Sequence, residues 1–271
     1  MTASIALAIG IAAGIHTSTW GMYKDAPHEG FGWPRYFRST IAAMVCALVI
    51  WRLFALPAGP AGFLVLFGAT YAAERAITEF YKTFLRQQSQ SKYTIPMQFA
   101  VFGRPVESRG LRLLAGLGHV VVALAVMGAV HWTDVATITM PWWLRAMLVG
   151  SLGGWISAFG GAWKDAPIEG FQTFKFFRSP GIALLWSLVL GALTDDLLLV
   201  AFGGLGYTIA TIETWKTFFF PSVPRGKFAD KPVLFPECLV FRKRFVPVYV
   251  AIWLTVLTAL AGAVTREVSR G

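Results

Sequence analysis

The chain has 271 residues and a formal net charge of +10, is 56% hydrophobic and 14% charged, and has a mean hydropathy of +0.59. A soluble domain carries about 25% charged residues, so this composition excludes an ordinary soluble enzyme and indicates a polytopic membrane protein. The basic residues fall between apolar runs, so lipid headgroups and membrane topology account for them and no nucleic-acid partner is expected.

Eight apolar segments follow in chain order, at about 4–22, 40–56, 63–80, 113–130, 144–163, 181–193, 197–215 and 246–263. Most have the roughly 17–25 residues that a bilayer requires; the sixth is short and needs flanking "RSP" or "LTDD" residues to complete it. The first segment lacks the basic start of a signal peptide, and it precedes "KDAPHEGFGWPRYFRS" (24–39) as the fifth precedes "KDAPIEGFQTFKFFRS" (164–179). It is therefore read as a retained helix.

Those two stretches are identical at ten of sixteen positions without a gap. The duplication extends to "EFYKTF" (79–84) and "ETWKTF" (213–218), and loosely to "KYTIPMQFAVFGR" and "KFADKPVLFPECLVFRK". Each half reads as helix, KDAP loop, helix, helix, ExxKTF, long basic loop, helix. Four spans per half make the repeat parallel, with a pseudo-two-fold axis along the membrane normal. The expected fold is thus an all-α polytopic membrane protein of about eight transmembrane helices in two four-helix repeats, 1–135 and 136–271, with interfacial segments on one face.

Eight spans put the loops 23–39, 81–112, 164–180 and 216–245 on one side, and these hold nineteen of the 24 Lys and Arg residues. The opposite connections hold none, although Arg52, Arg145, Arg266 and Arg270 fall near that side. The positive-inside rule makes the long loops cytoplasmic and both termini external in a cell (inner) membrane.

The chain has no Asn, and its two cysteines and four histidines have no metal-ligand spacing. No phosphate-loop, hydrolase-elbow or zincin pattern occurs. No metal site or catalytic residue is assigned, and nothing identifies a cofactor. His16 and His119 are read as helix-contact residues. The runs "GSLGGW" and "FGGLGY" are read as places of close helix approach.

The chemistry-bearing residues are those kept in both copies: Lys24, Asp25, Glu29, Arg38, Glu79 and Lys82, matched by Lys164, Asp165, Glu169, Arg178, Glu213 and Lys216. "DAP-x-E" fits a helix start, with Pro27 at the first helical position and Glu29 at the third. In one continuous helix Asp25 and Glu29 would instead be i,i+4 neighbours that repel, and Lys24 or a bound cation would have to sit between them. The aromatic and basic residues after the motif fit an interfacial segment, with Pro34 interrupting the first copy.

Three acids and three bases per half suit a salt-bridge network, an anion site with Lys and Arg as donors, or a cation site on the carboxylates. Three functions stay open. The first is a transporter or lipid-handling protein with a charged pseudo-symmetric site, partnered by anionic headgroups at the cytoplasmic face. The second is a membrane enzyme acting on a lipid phosphate headgroup. The third is a non-catalytic subunit of a larger membrane complex, as a homo- or hetero-oligomer.

Overall fold

The computed structural model describes residues 1–136, 139–221 and 226–268, with side chains as far as 265; Arg225 and Arg270, and the side chain of Arg266, lie outside the described residues. The chain forms α1 (Ala3–Glu29), α2 (Trp33–Leu53), α3 (Gly59–Phe80), α4 (Arg109–Ala136), α5 (Trp142–Arg145), α6 (Leu152–Glu169), α7 (Thr173–Gly191), α8 (Leu197–Thr214), α9 (Glu237–Phe241) and α10 (Val246–Val268). A two-residue antiparallel ladder, Ala100–Val101 against Arg104–Pro105, lies in the loop before α4. Each of the eight expected apolar segments falls within or largely within a helix, the fifth being broken by a π turn at Ala146–Gly150 between α5 and α6.

Among the described residues, five helical stretches are long and apolar enough to cross a membrane: Ala3–Glu29, Trp33–Leu53, Arg109–Ala136, Leu197–Phe219 and Glu237–Thr265. The molecule is a helical membrane protein. α4 shows this most directly, since Leu114, Leu117, Val121, Val122 and Leu124 are all more than half exposed. A helix apolar on its outward face belongs against lipid rather than water. α3, which carries Glu74, Arg75 and Glu79 in its last turns, and α6, which ends in Lys164, Asp165 and Glu169, are not among the five.

The KDAP motif does not start a helix. It forms the last turns of α1 and α6, so most of the expected loops 23–39 and 164–180 is helical and only residues 30–32 and 170–172 connect. Gly30 (φ 75°, ψ 164°) and Gly170 (φ 78°, ψ 162°) end these helices in a conformation open essentially to glycine alone. Their amides return to Ala26 and Ala166 carbonyls at 2.9 and 3.0 Å. Pro34 does not interrupt its copy; it sits in the first turn of α2, where a proline has no amide to lose. The aromatic and basic residues after each motif accordingly belong to the first turns of α2 and α7.

Pro27 sits inside α1, which frees the carbonyl four residues back. That carbonyl, on Tyr23, accepts from Arg242 Nη1 at 2.7 Å. The proline therefore creates the acceptor that ties the loop before α10 to α1.

The centre of the bundle is α3 packed on α8, with Phe67, Tyr71 and Tyr207 all but fully buried. The contact is set by glycines: a Cβ on Gly206 would stand 1.9 Å from the Gly68 carbonyl oxygen. The "GSLGGW" run works likewise, with Gly154 against Ala183 and Ser179 of α7. α10 packs on α3 and α1, and α4 packs on α8. Both ExxKTF motifs end their helices in π turns, Tyr81–Leu85 after α3 and Trp215–Phe219 after α8. Such turns recur at functional sites.

Candidate charged site at the loop end of the bundle

The two long loops cross over. The segment before α4 lies on the end of α6: Trp163 Nε1 donates to the Ala100 carbonyl at 3.2 Å, and Gly103 abuts Pro167 and Ile168. The segment before α10 lies on the end of α1, where Leu234 and Phe235 amides donate to the Pro27 carbonyl at 2.9 and 3.0 Å. His28 Nδ1 meets the Pro232 carbonyl at 2.9 Å. The loops join each other through Thr94, whose amide donates to the Lys227 carbonyl at 2.8 Å, and through the buried cluster of Tyr93, Met97 and Phe228.

All six acids shared by the two motif copies are ion-paired. Glu213 lies 3.5 Å from Lys24 Nζ and 3.3 Å from Lys216 Nζ. Glu79 takes Arg75 at 2.8 Å and Lys82 at 2.9 Å. Asp25 takes Lys227 at 2.8 Å. Glu29 takes Lys92 at 3.1 Å and Arg35 at 3.7 Å. In the second copy one Lys175 Nζ bridges Asp165 at 2.7 Å and Glu169 at 2.8 Å. The i,i+4 repulsion between motif carboxylates is thus relieved by bases from other elements, not by Lys24 as expected. Lys24 is drawn instead to Glu213 on α8.

Lys164 lies 3.7 Å from Met97 Sδ. Arg38 has no ion-pair or hydrogen-bond partner among the described residues.

Around these groups are two hollows of about 140 Å³ each, one beside each KDAP motif. Their walls are built from corresponding positions: Asp25 and Asp165, Arg35 and Lys175, Arg38 and Arg178, Ser39 and Ser179, Lys82 and Lys216. The first hollow gains Arg75, Arg86 and Lys227 as well. Bases outnumber acids in both walls, by six to two in the first and three to two in the second. Drug-sized ligands occupy about 300–1,000 Å³, so each hollow suits a small anion or a headgroup fragment. Of the sequence candidates, Asp25, Glu29, Arg38 and Lys82 come together in one hollow and Asp165, Arg178, Glu213 and Lys216 in the other. Lys24, Glu79 and Glu169 pair with residues that line a hollow, whereas Lys164 lines neither and meets Met97.

Several site residues lie outside any repeated motif. Arg75 belongs to the first half alone, Ile209 standing at the corresponding position of the second. It lies in the first hollow, 6% exposed, 3.8 Å from the fully buried Glu74 and over the Trp20 ring at 5.3 Å. Tyr93 and Lys227 reach the site only because the loops fold back over it. Among the described residues no group of three His, Cys, Asp or Glu gathers as a metal site. His16 is a packed core residue, bonded to Tyr71 Oη at 3.1 Å and stacked on Tyr249. His119 lies beside the rings of Phe80 and Phe84.

Tyr93 donates its hydroxyl proton to Glu29 Oε1 at 2.8 Å. Burial and that carboxylate hold the Tyr93 proton well above the usual phenol range. Tyr93→Phe is expected to destabilise the loop lock by about 1.5–3 kcal/mol, the range for a hydrogen bond to a charged group. Thermal melting in detergent and faster amide exchange at residues 90–98 would check it. The same bond makes the lock alkali-sensitive. Above pH ~10 the unfolded chain releases the Tyr93 proton while the folded one keeps it, so stability falls as pH rises.

No known protein family, curated protein or solved structure matches this chain.

Proposed function

We propose that the chain is an integral membrane transporter or lipid-handling protein of eight spans. In this reading two parallel four-helix repeats present a pair of equivalent basic hollows at the cytoplasmic face, which hold a small anionic group such as phosphate, free or on a lipid. The observation that carries the reading is the pair of hollows lined by corresponding residues of the two motif copies. Three further features favour a pseudo-two-fold arrangement: α3 packed on its counterpart α8, the fourth helix of each half packed on the third helix of the other, and the crossed loops.

The ion pairs favour an anion over a cation. All six shared carboxylates already have Lys or Arg partners, whereas the walls of both hollows carry excess positive charge. The carboxylates hold the bases in place, and the bases are the donors. A single catalytic centre is disfavoured by the duplication, since an enzyme on a lipid headgroup needs one asymmetric site.

The test is transport and flipping in proteoliposomes with radiolabelled phosphate, sulfate and fluorescent anionic phospholipid. Wild type is expected to move at least one of these. The double variant Arg38→Gln/Arg178→Gln is expected to reduce the rate about tenfold or more, as loss of a charge-assisted contact implies. Rates equal to those of protein-free vesicles for every probe would overturn the proposal.

A further inference from the structure

Lys24 and Lys216, which share Glu213, also line a third cavity of about 460 Å³ between the end of α1, the π turn after α8, and α9. This is over three times the volume of either small hollow. Arg242 and Lys243 complete its charged lining, and no carboxylate lines it among the described residues. The rest of the wall is largely apolar, including Phe220, Leu239 and Val240.

Two features show donors fixed in place. Arg242 is 9% exposed, held by the Tyr23 carbonyl that Pro27 frees and stacked over the Tyr23 ring at 4.2 Å, while its buried Nε has no hydrogen-bond partner. Thr217, 4% exposed, also lines the cavity, and its buried hydroxyl has no partner. A rigid guanidinium with unspent hydrogen-bonding capacity suits phosphate. The apolar wall has no use for a free anion. Val240 lines the cavity and is 68% exposed, so the wall continues onto the outer apolar surface.

We propose that this cavity binds one anionic phospholipid, its phosphate among Lys24, Lys216, Arg242 and Lys243 and its chains against the Leu239 and Val240 wall. The cavity shares Lys216 with the second small hollow, but Lys24, Arg242, Lys243 and its apolar wall belong to neither hollow. It is also asymmetric, because it is built from the loop before α10, whereas the loop before α4 lays its two-stranded ladder on the end of α6.

The test is a titration of the detergent-purified full chain by native mass spectrometry and thermal shift, using dioctanoyl phosphatidic acid, dioctanoyl phosphatidylcholine and inorganic phosphate. Phosphatidic acid is expected to bind one molecule tightly at this cavity, phosphatidylcholine at least tenfold more weakly, and phosphate to give no comparable shift once Arg38→Gln/Arg178→Gln has removed the donors of the small hollows. Lys243→Glu and Val240→Glu, both at exposed positions that leave the fold intact, are each expected to weaken phosphatidic acid binding tenfold or more, as loss of a charged contact implies. Arg38→Gln/Arg178→Gln is expected to leave it unchanged. An inorganic-phosphate shift that equals the phosphatidic acid shift and survives Arg38→Gln/Arg178→Gln, equal binding of phosphatidylcholine, or full binding by both cavity variants would overturn the site. Loss of binding in the Arg38/Arg178 variant alone would move the lipid to the small hollows and overturn it equally.

Discussion

Glu213→Gln is expected to lower the stability of the folded chain by about 3 kcal/mol, because it strands two lysines at once. Glu213 is the sole ion-pair partner of Lys24 and of Lys216 among the described residues, and its side chain is 14% exposed. Removing one member of a largely buried pair costs about 3–5 kcal/mol, since the remaining charge stays desolvated; partial exposure of both lysines favours the low end. The contact with Lys24 joins α1 to α8, so a double-mutant cycle with Lys24→Met isolates it. A coupling of about 0.5–3 kcal/mol by thermal or denaturant melting is expected. Glu237→Gln, on an exposed position of α9, serves as the control with little effect. A coupling near zero would mean that the lysine and the carboxylate do not share a bond.

Gly206→Ala is expected to be the most damaging single-methyl change in the bundle. The new Cβ would stand 1.9 Å from the Gly68 carbonyl oxygen and 3.1 Å from the Ala72 amide nitrogen, both backbone atoms that no rotamer change can move. α3 and α8 would have to separate, and Phe67 and Tyr207, buried and stacked at 5.8 Å across that contact, would lose their packing. Overpacking of a close-packed core costs about 1–3 kcal/mol and more when backbone must move; about 3 kcal/mol or more is expected here. Gly118→Ala, on α4 with nothing within 4 Å, is the matched control. It should stabilise by up to about 1 kcal/mol through helix propensity alone. Melting temperature in detergent and the yield of monodisperse protein would check both.

Helices were legible wherever composition decides structure. The eight apolar runs lie in helices because a long apolar segment in lipid must satisfy its own backbone hydrogen bonds. The same logic made the glycine runs readable as close approaches. The KDAP stretch was misread at its boundary. Proline and acids in sequence do mark helix starts, but here the preceding helix continues through Pro27, with Arg242 supplying the hydrogen bond the proline removes. Gly30 and Gly170, the residues that actually stop the helices, were present in the sequence and carry the signal that a positive φ would have required. The site was half legible. Duplicated charges named its acids but only Arg38, Lys82, Arg178 and Lys216 of the bases that line the hollows, and Tyr93, Lys92 and Lys227 sit in loops whose landing place no local pattern encodes.

Composition and repetition therefore determined, by themselves, the membrane class, the helix positions and the set of charged residues that recur. Those properties are local: they depend on runs of side chains and on spacing along one segment. Which charges meet was decided only by tertiary structure. Lys24 meets Glu213, 189 positions away in the chain, and Lys227 meets Asp25 because the loop before α10 crosses onto α1. The physical reason is that an ion pair depends on distance in space and on shared burial, and neither is encoded in the residues that flank either partner along the chain.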